Sequence, residues 1–198
     1  MALPKLDPIR LPGPWSEGFV LERQHTLSSD FIGHDSNGNP QFDTKRSELG
    51  ELVYRLKNRN DRNALAPIAE AAVEFIKGWA PRADAIVPVP PSRKRAYQPV
   101  VEIAKAIGKL LSVPVDLAAV VKAKDTPELK NVFDFKERTT ALQSAFKVNE
   151  KSVRGKRVLL VDDLYRSGAT ASIVATALIA SGVTAVYMLA MTKTRTRT

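Results

Sequence analysis

Residues 157–176 read RVLLVDDLYRSGATASIVAT, and this stretch decides the fold. Val158, Leu159, Leu160 and Val161 form an uninterrupted apolar run. It has the length of a strand and the composition of one buried on both faces, as the strands of a parallel sheet are. Asp162 and Asp163 stand where that strand should emerge. Arg166, Ser167, Gly168, Ala169 and Thr170 then make a tight polar turn before an Ala-rich helical pattern begins. The order is strand, acids, anion-binding loop, helix.

The chemistry of that order points to a sugar phosphate. A helix N-terminus presents backbone N–H groups without intrahelical partners and a partial positive charge, and a glycine there lets the backbone approach an anion closely. Ser167 and Thr170 add hydroxyl donors, whereas Asp162 and Asp163 would repel a phosphate and suit neutral hydroxyls such as the 2′ and 3′ positions of a ribose. The loop would hold the phosphate end and the acids the sugar. A plain buried strand ending in a capped helix, with solvated acids, would not require these residue types to coincide.

The stretch VLLVDDLYRSGAT resembles the phosphoribosyl pyrophosphate (PRPP) binding motif of type I phosphoribosyltransferases, in which a hydrophobic strand and two acids precede a Gly/Thr-rich loop. The resemblance implies that Asp162 and Asp163 contact the ribose hydroxyls. It implies that Arg166, Ser167, Gly168, Ala169 and Thr170 bind the 5′-phosphate. Mg2+ would arrive through PRPP, held mainly by the substrate's oxygens, with no metal site of the protein's own.

Working outward, Asp84 to Val89 (DAIVPV) is a second buried-strand candidate. It runs through Pro90 and Pro91 into Ser92, Arg93, Lys94 and Arg95, ahead of a helical pattern over residues 100–111. Three successive cations after a strand suit a pyrophosphate, which they would clamp by charge-assisted hydrogen bonds. In the family, a loop after the first core strand does this work. The segment PVPPSRKR, continuing to Gln98-Pro99-Val100, resembles more narrowly the ComF-like, competence-associated branch. So does the series Lys122, Lys124, Asp125-Thr126-Pro127, Leu129, Glu137-Arg138, Leu142 and Ala145-Phe146, which is similar to that branch's mobile catalytic loop and its anchor. By position, Lys124 joins the aspartates as a catalytic residue, and residues 122–138 would close as a lid over the leaving pyrophosphate. Two features depart from the branch: the chain has no cysteine, so it lacks the N-terminal zinc finger, and Ala96-Tyr97-Gln98 lacks the usual Gly and Asn.

Strand patterns near 84, 113–121, 157 and 185–191, alternating with helices, imply an α/β chain: a parallel sheet flanked by helices on both faces, with ligands at the strand C-terminal edge. An N-terminal hairpin and helical extension precede it. Residues 1–45 read as a Pro-rich arm and a hairpin, with strand-like Phe19-Val20-Leu21 and Phe31-Ile32 and a turn at Ser36-Asn37-Gly38-Asn39-Pro40. Residues 46–80 read as a helical hairpin and 81–192 as the nucleotide-sugar-binding core, all within a single domain. The cluster Arg55, Lys57, Arg59 and Arg62 reads first as a solvated helix face. His25 and His34 carry no assignment.

Composition bounds the rest. With no cysteine, disulfides and thiolate metal sites are excluded, and with only two histidines a His-rich metal site is not expected. No apolar run approaches a membrane span and Met-Ala-Leu-Pro-Lys lacks a secretory core, so a cytoplasmic protein is expected. A net charge of +9 favours anionic partners. The expected function is transfer of the 5-phosphoribosyl group of PRPP to an unidentified acceptor, with release of pyrophosphate. The alternatives are a PRPP or nucleotide sensor with little turnover, and a DNA-uptake factor acting with single-stranded DNA or a competence helicase. Assembly as a homo-oligomer is compatible with all three.

Overall fold

A computed structural model of the chain describes residues 3–91, 96–123 and 145–194. Its elements run β1 (Ile9–Arg10), β2 (Glu17–Glu22), β3 (Thr26–His34), β4 (Pro40–Arg46), α1 (Glu48–Asn58), a 3-10 turn (Arg62–Ala64), α2 (Leu65–Trp79) and β5 (Ala85–Pro88). There follow α3 (Pro99–Leu111), β6 (Val120–Lys122), β7 (Phe146–Val148), α4 (Glu150–Val153), β8 (Arg157–Tyr165), α5 (Ala169–Ala180) and β9 (Ala185–Lys193).

The main sheet has the order β1-β2-β9-β8-β5. All neighbours are parallel except β1, which runs antiparallel to β2 at the edge. The α/β architecture inferred from strand and helix alternation is therefore present, with helices on both faces. β8 sits between β9 and β5, and its alternation sorts the core. Leu159 and Val161 pack among Leu49, Ile68 and Ile103, from α1, α2 and α3. Val158 and Leu160 pack among Val174 and Leu178, from α5. All four strand side chains are buried. Leu160→Ala is expected to cost about 3 kcal/mol of stability, since the rigid surroundings refill such a hole only in part; a lower urea midpoint at unchanged slope would register it.

Local chemistry sets the helix ends. Ser47 caps α1, its Oγ accepting from Gly50 N at 3.1 Å, with Glu48 and Glu51 in the first turn and Arg55 and Lys57 in the last. Pro99 opens α3, and α2 and α3 each stop at a left-handed residue, Ala80 and Ser112.

Two features differ from the sequence reading. Phe19, Val20 and Leu21 lie in β2, which pairs parallel with β9 and antiparallel with β1 in the main sheet and takes no part in the hairpin at the 36–40 turn. The hairpin is β3 with β4, around the turn at residues 36–40. The strand expected over 113–121 is reduced to one parallel bridge, Ile86 with Val115. Pro114 contributes only its carbonyl, to Ile86 N at 2.9 Å, because proline has no N–H to continue a ladder. Beyond it, β6 turns away and pairs antiparallel with β7.

Candidate active site

β5 and β8 separate at the sheet's C-terminal edge, and the site lies in the gap. Pro88 is the last β5 residue paired with β8, opposite Val161, while β8 continues beside β9 as far as Tyr165 opposite Lys193. Past Val161, then, one side of β8 has lost its neighbour. A cavity of about 550 Å³ fills that corner. Val89 to Pro91 line it from the β5 side, Gln98 to Val100 from the start of α3, and Asp162 to Leu164 with Arg166 to Ala171 from β8 and the turn into α5.

The two aspartates belong to the strand itself and do not follow it. Successive residues of a strand face opposite sides, so Asp162 and Asp163 reach the cavity from either side of the β8 end. Asp163 Oδ1 meets Lys57 Nζ, from the last turn of α1, at 2.9 Å. Asp162 Oδ1 accepts the Asp163 N–H at 2.9 Å. Burial, then the neighbouring Asp163 charge, pushes the Asp162 carboxyl well above the usual carboxylate range, with Lys57 opposing. The strand end is braced from β9: buried Thr192 donates to the Asp163 carbonyl at 3.5 Å, and His25 Nδ1 lies 3.1 Å from Thr192 Oγ1. Burial, then Arg46 and Lys57, lowers the His25 pKa, so the imidazole is neutral at pH 7.

Gly168 is the N-cap of α5 and takes φ +73°. A Cβ there would run into the Tyr165 ring, so glycine is required both by the left-handed backbone and by the ring beside it. Ser167 Oγ accepts weakly from Ala169 N, at 3.4 Å. The first turn of the helix, whose N–H groups have no intrahelical partners, lines the cavity beside Arg166. The cavity thus joins the N-terminus of α5, two carboxylates and the cations Lys57, Lys122 and Arg166.

Of the residues singled out from sequence, Asp162, Asp163, Arg166, Ser167, Gly168, Ala169 and Thr170 all line this one cavity. Ser92, Arg93, Lys94, Arg95 and Lys124 lie outside the described residues, although Val89-Pro90-Pro91, which lead into the first four, form part of the rim. Lys122 reaches the cavity from β6. Within the basic cluster, Arg55 pairs with Asp61, while Arg59 and Arg62 lie over the rings of Tyr54 and Tyr97. Lys57 alone of the four lines the cavity. Its position in the last turn of α1 was the available signal, but its partner lies 106 residues further along the chain.

No family model matches the chain, and no curated protein does. Solved structures do resemble it. The glutamine PRPP amidotransferase from B. subtilis, complexed with ADP and GMP, superposes with a TM-score of 0.53 at 18% identity over 79% of this chain and 34% of that one. A structure described as the allosteric regulatory enzyme of purine biosynthesis gives 0.53 at 20% identity, again over 79% and 34%. The chain therefore spans about a third of the length of both. Adenine phosphoribosyltransferase from Leishmania tarentolae aligns over 94% of each chain at 12% identity, with a TM-score of 0.49. At such identities the likeness concerns the fold alone: the chain shares with the first two structures an α/β fold with a mostly parallel sheet and flanking helices.

Proposed function

We propose that the cavity binds PRPP and that the protein transfers its 5-phosphoribosyl group to an acceptor, releasing pyrophosphate. The observation that carries this reading is the convergence of Asp162, Asp163 and the turn 166–170 on one cavity. The turn offers backbone N–H groups to a phosphate, and the acids, lining the same cavity, offer acceptors to sugar hydroxyls. The PRPP named for the first of the structural neighbours supports the same ligand. The narrower likeness to the ComF-like branch rests on sequence at residues 88–95 and 122–146.

In the transfer, the bond from the anomeric carbon to the pyrophosphate oxygen breaks, and its electron pair leaves with pyrophosphate. A lone pair on the acceptor forms the new bond, and the acceptor's proton passes to pyrophosphate or water. Positive charge grows on the sugar ring and negative charge on the leaving group. The protein's task is to hold, orient and exclude water. Arg166 and the α5 N-terminus fix the phosphate end, Asp162 and Asp163 fix the sugar, and Lys122 offers a cation at the rim.

Magnesium fits as a companion of the ligand. Among the described residues no three acids, histidines or cysteines converge on a point, and the two carboxylates of the cavity would meet the ion through water. Bound there, it would neutralise pyrophosphate oxygens.

The test is a screen for pyrophosphate release from Mg-PRPP with nucleobases, amines and ammonia. Release with one acceptor class and not the others is expected. Binding without release for any acceptor would replace the transferase with a sensor.

A further inference from the structure

Two carboxylates on the floor of an anion site pose an electrostatic problem. A carboxylate a few ångströms from a phosphate repels it, and more strongly where solvent is thin. Asp163 is 7% exposed, so water screens it poorly. Lys57 answers this. Its Nζ lies 2.9 Å from Asp163 Oδ1, and it lines the same cavity. Its placement is built in: Leu49, Val53 and Leu56 seat α1 in the core, and Arg55 pairs with Asp61 in the turn that follows. A cation in the last turn of a helix is also favoured by the helix dipole.

Resting on the sugar-phosphate reading above, we propose that Lys57 is a positioning residue for that site: by engaging Asp163 Oδ1 it cancels the carboxylate's charge and steers Oδ2 toward a single sugar hydroxyl, so that the acid can hold the sugar beneath an anionic ligand. Two simpler roles compete. Lys57 would touch the ligand's phosphates directly, or it would serve the fold alone. The charge-cancelling role is distinct because it acts on the ligand through Asp163, the carboxylate Lys57 directly engages. The site then depends on a helix that precedes the core strands β5, β8 and β9 by sequence.

A double-substitution cycle tests it. Mg-PRPP and ribose 5-phosphate are titrated calorimetrically into the wild type, Lys57→Met, Asp163→Asn and the double variant, each confirmed folded by circular dichroism. Lys57→Met is expected to weaken PRPP binding by about 10- to 100-fold and ribose 5-phosphate binding by less, because the more charged ligand suffers more from an uncancelled carboxylate. In the Asp163→Asn background the same substitution is expected to change either affinity by less than about twofold, since the charge it cancelled is gone. Lys57→Arg should recover most of the loss.

An equal loss in both backgrounds, or no loss from Lys57→Met, would overturn the proposal. A wild type that takes up neither ligand would bring down the sugar-phosphate reading and this role with it. That outcome is visible before any substitution is made.

Discussion

Gly168→Val is expected to lower affinity for ribose 5-phosphate and Mg-PRPP by more than about 100-fold. Gly168 holds φ +73° at the N-cap of α5, a region that a β-branched residue enters only at a cost of about 1–3 kcal/mol. The new Cβ would also meet the Tyr165 ring, and Tyr165 is itself buried in the core on the α5 side. Buried Tyr165 has little room to give, so the turn must move and the N–H groups of the first helical turn must lose their aim. Affinity for a phosphate held by backbone donors depends on that aim. Thermal unfolding should also shift down by several degrees, as a destabilisation of about 2 kcal/mol implies. Binding is therefore measured well below the transition, on a variant with a native circular dichroism spectrum. A folded Gly168→Val chain that still binds within about threefold of the wild type would remove the loop from the site.

Asp162→Asn is expected to make the protein more stable above neutral pH while weakening the ligand. Burial, then the Asp163 carboxylate, raises the Asp162 pKa from its ordinary value. The folded state therefore holds the Asp162 proton more tightly than the unfolded chain does. The stability that this proton brings is fully present below the unfolded carboxylate pKa and is lost as pH rises through the higher folded value. Asparagine carries no such charge. At pH 8 the variant should exceed the wild type by about 1–2 kcal/mol, and the gap should close as pH falls toward 4. PRPP binding should meanwhile weaken by about tenfold or more, because an amide is a poorer partner for a hydroxyl donor than a carboxylate. Such a trade of stability for binding is the mark of an acid kept in place for its chemistry. Equal stability gains at both pH values, or a variant less stable than the wild type at pH 8, would refute the account of a strained acid pair.

How much of this was legible in the sequence depends on the range of the interactions involved. β8 could be read because Val158 to Val161 form a local apolar run, and the hairpin turn because Asp35-Ser36-Asn37-Gly38-Asn39 closes on itself. There the Asp35 side chain accepts from Asn37 N at 2.8 Å and Asn39 N at 2.9 Å. The place of β2 could not be read. Its apolar residues suit a hairpin and a central sheet equally, and its partner β9 lies more than 160 residues away. The 113–121 stretch looked like a strand by composition, but Pro114 limits it to a bridge.

The candidate site divides in the same way. The acids and the glycine turn are contiguous and could be found together. Lys57 lies among cations whose pattern is that of a solvated face, and only the packing of α1 against the sheet brings it to Asp163. The continuation of β8 past the acids was equally hidden, because it depends on the matching length of β9.

On the proposed reading, one cavity grips a phosphorylated pentose by both ends. Calorimetric titration of the wild-type chain with PRPP in the presence of magnesium tests it most directly. A single saturable site with about micromolar affinity is expected, retained in part by ribose 5-phosphate and lost in Gly168→Val. Absence of heat at millimolar PRPP, or equal binding by wild type and Gly168→Val, would contradict it.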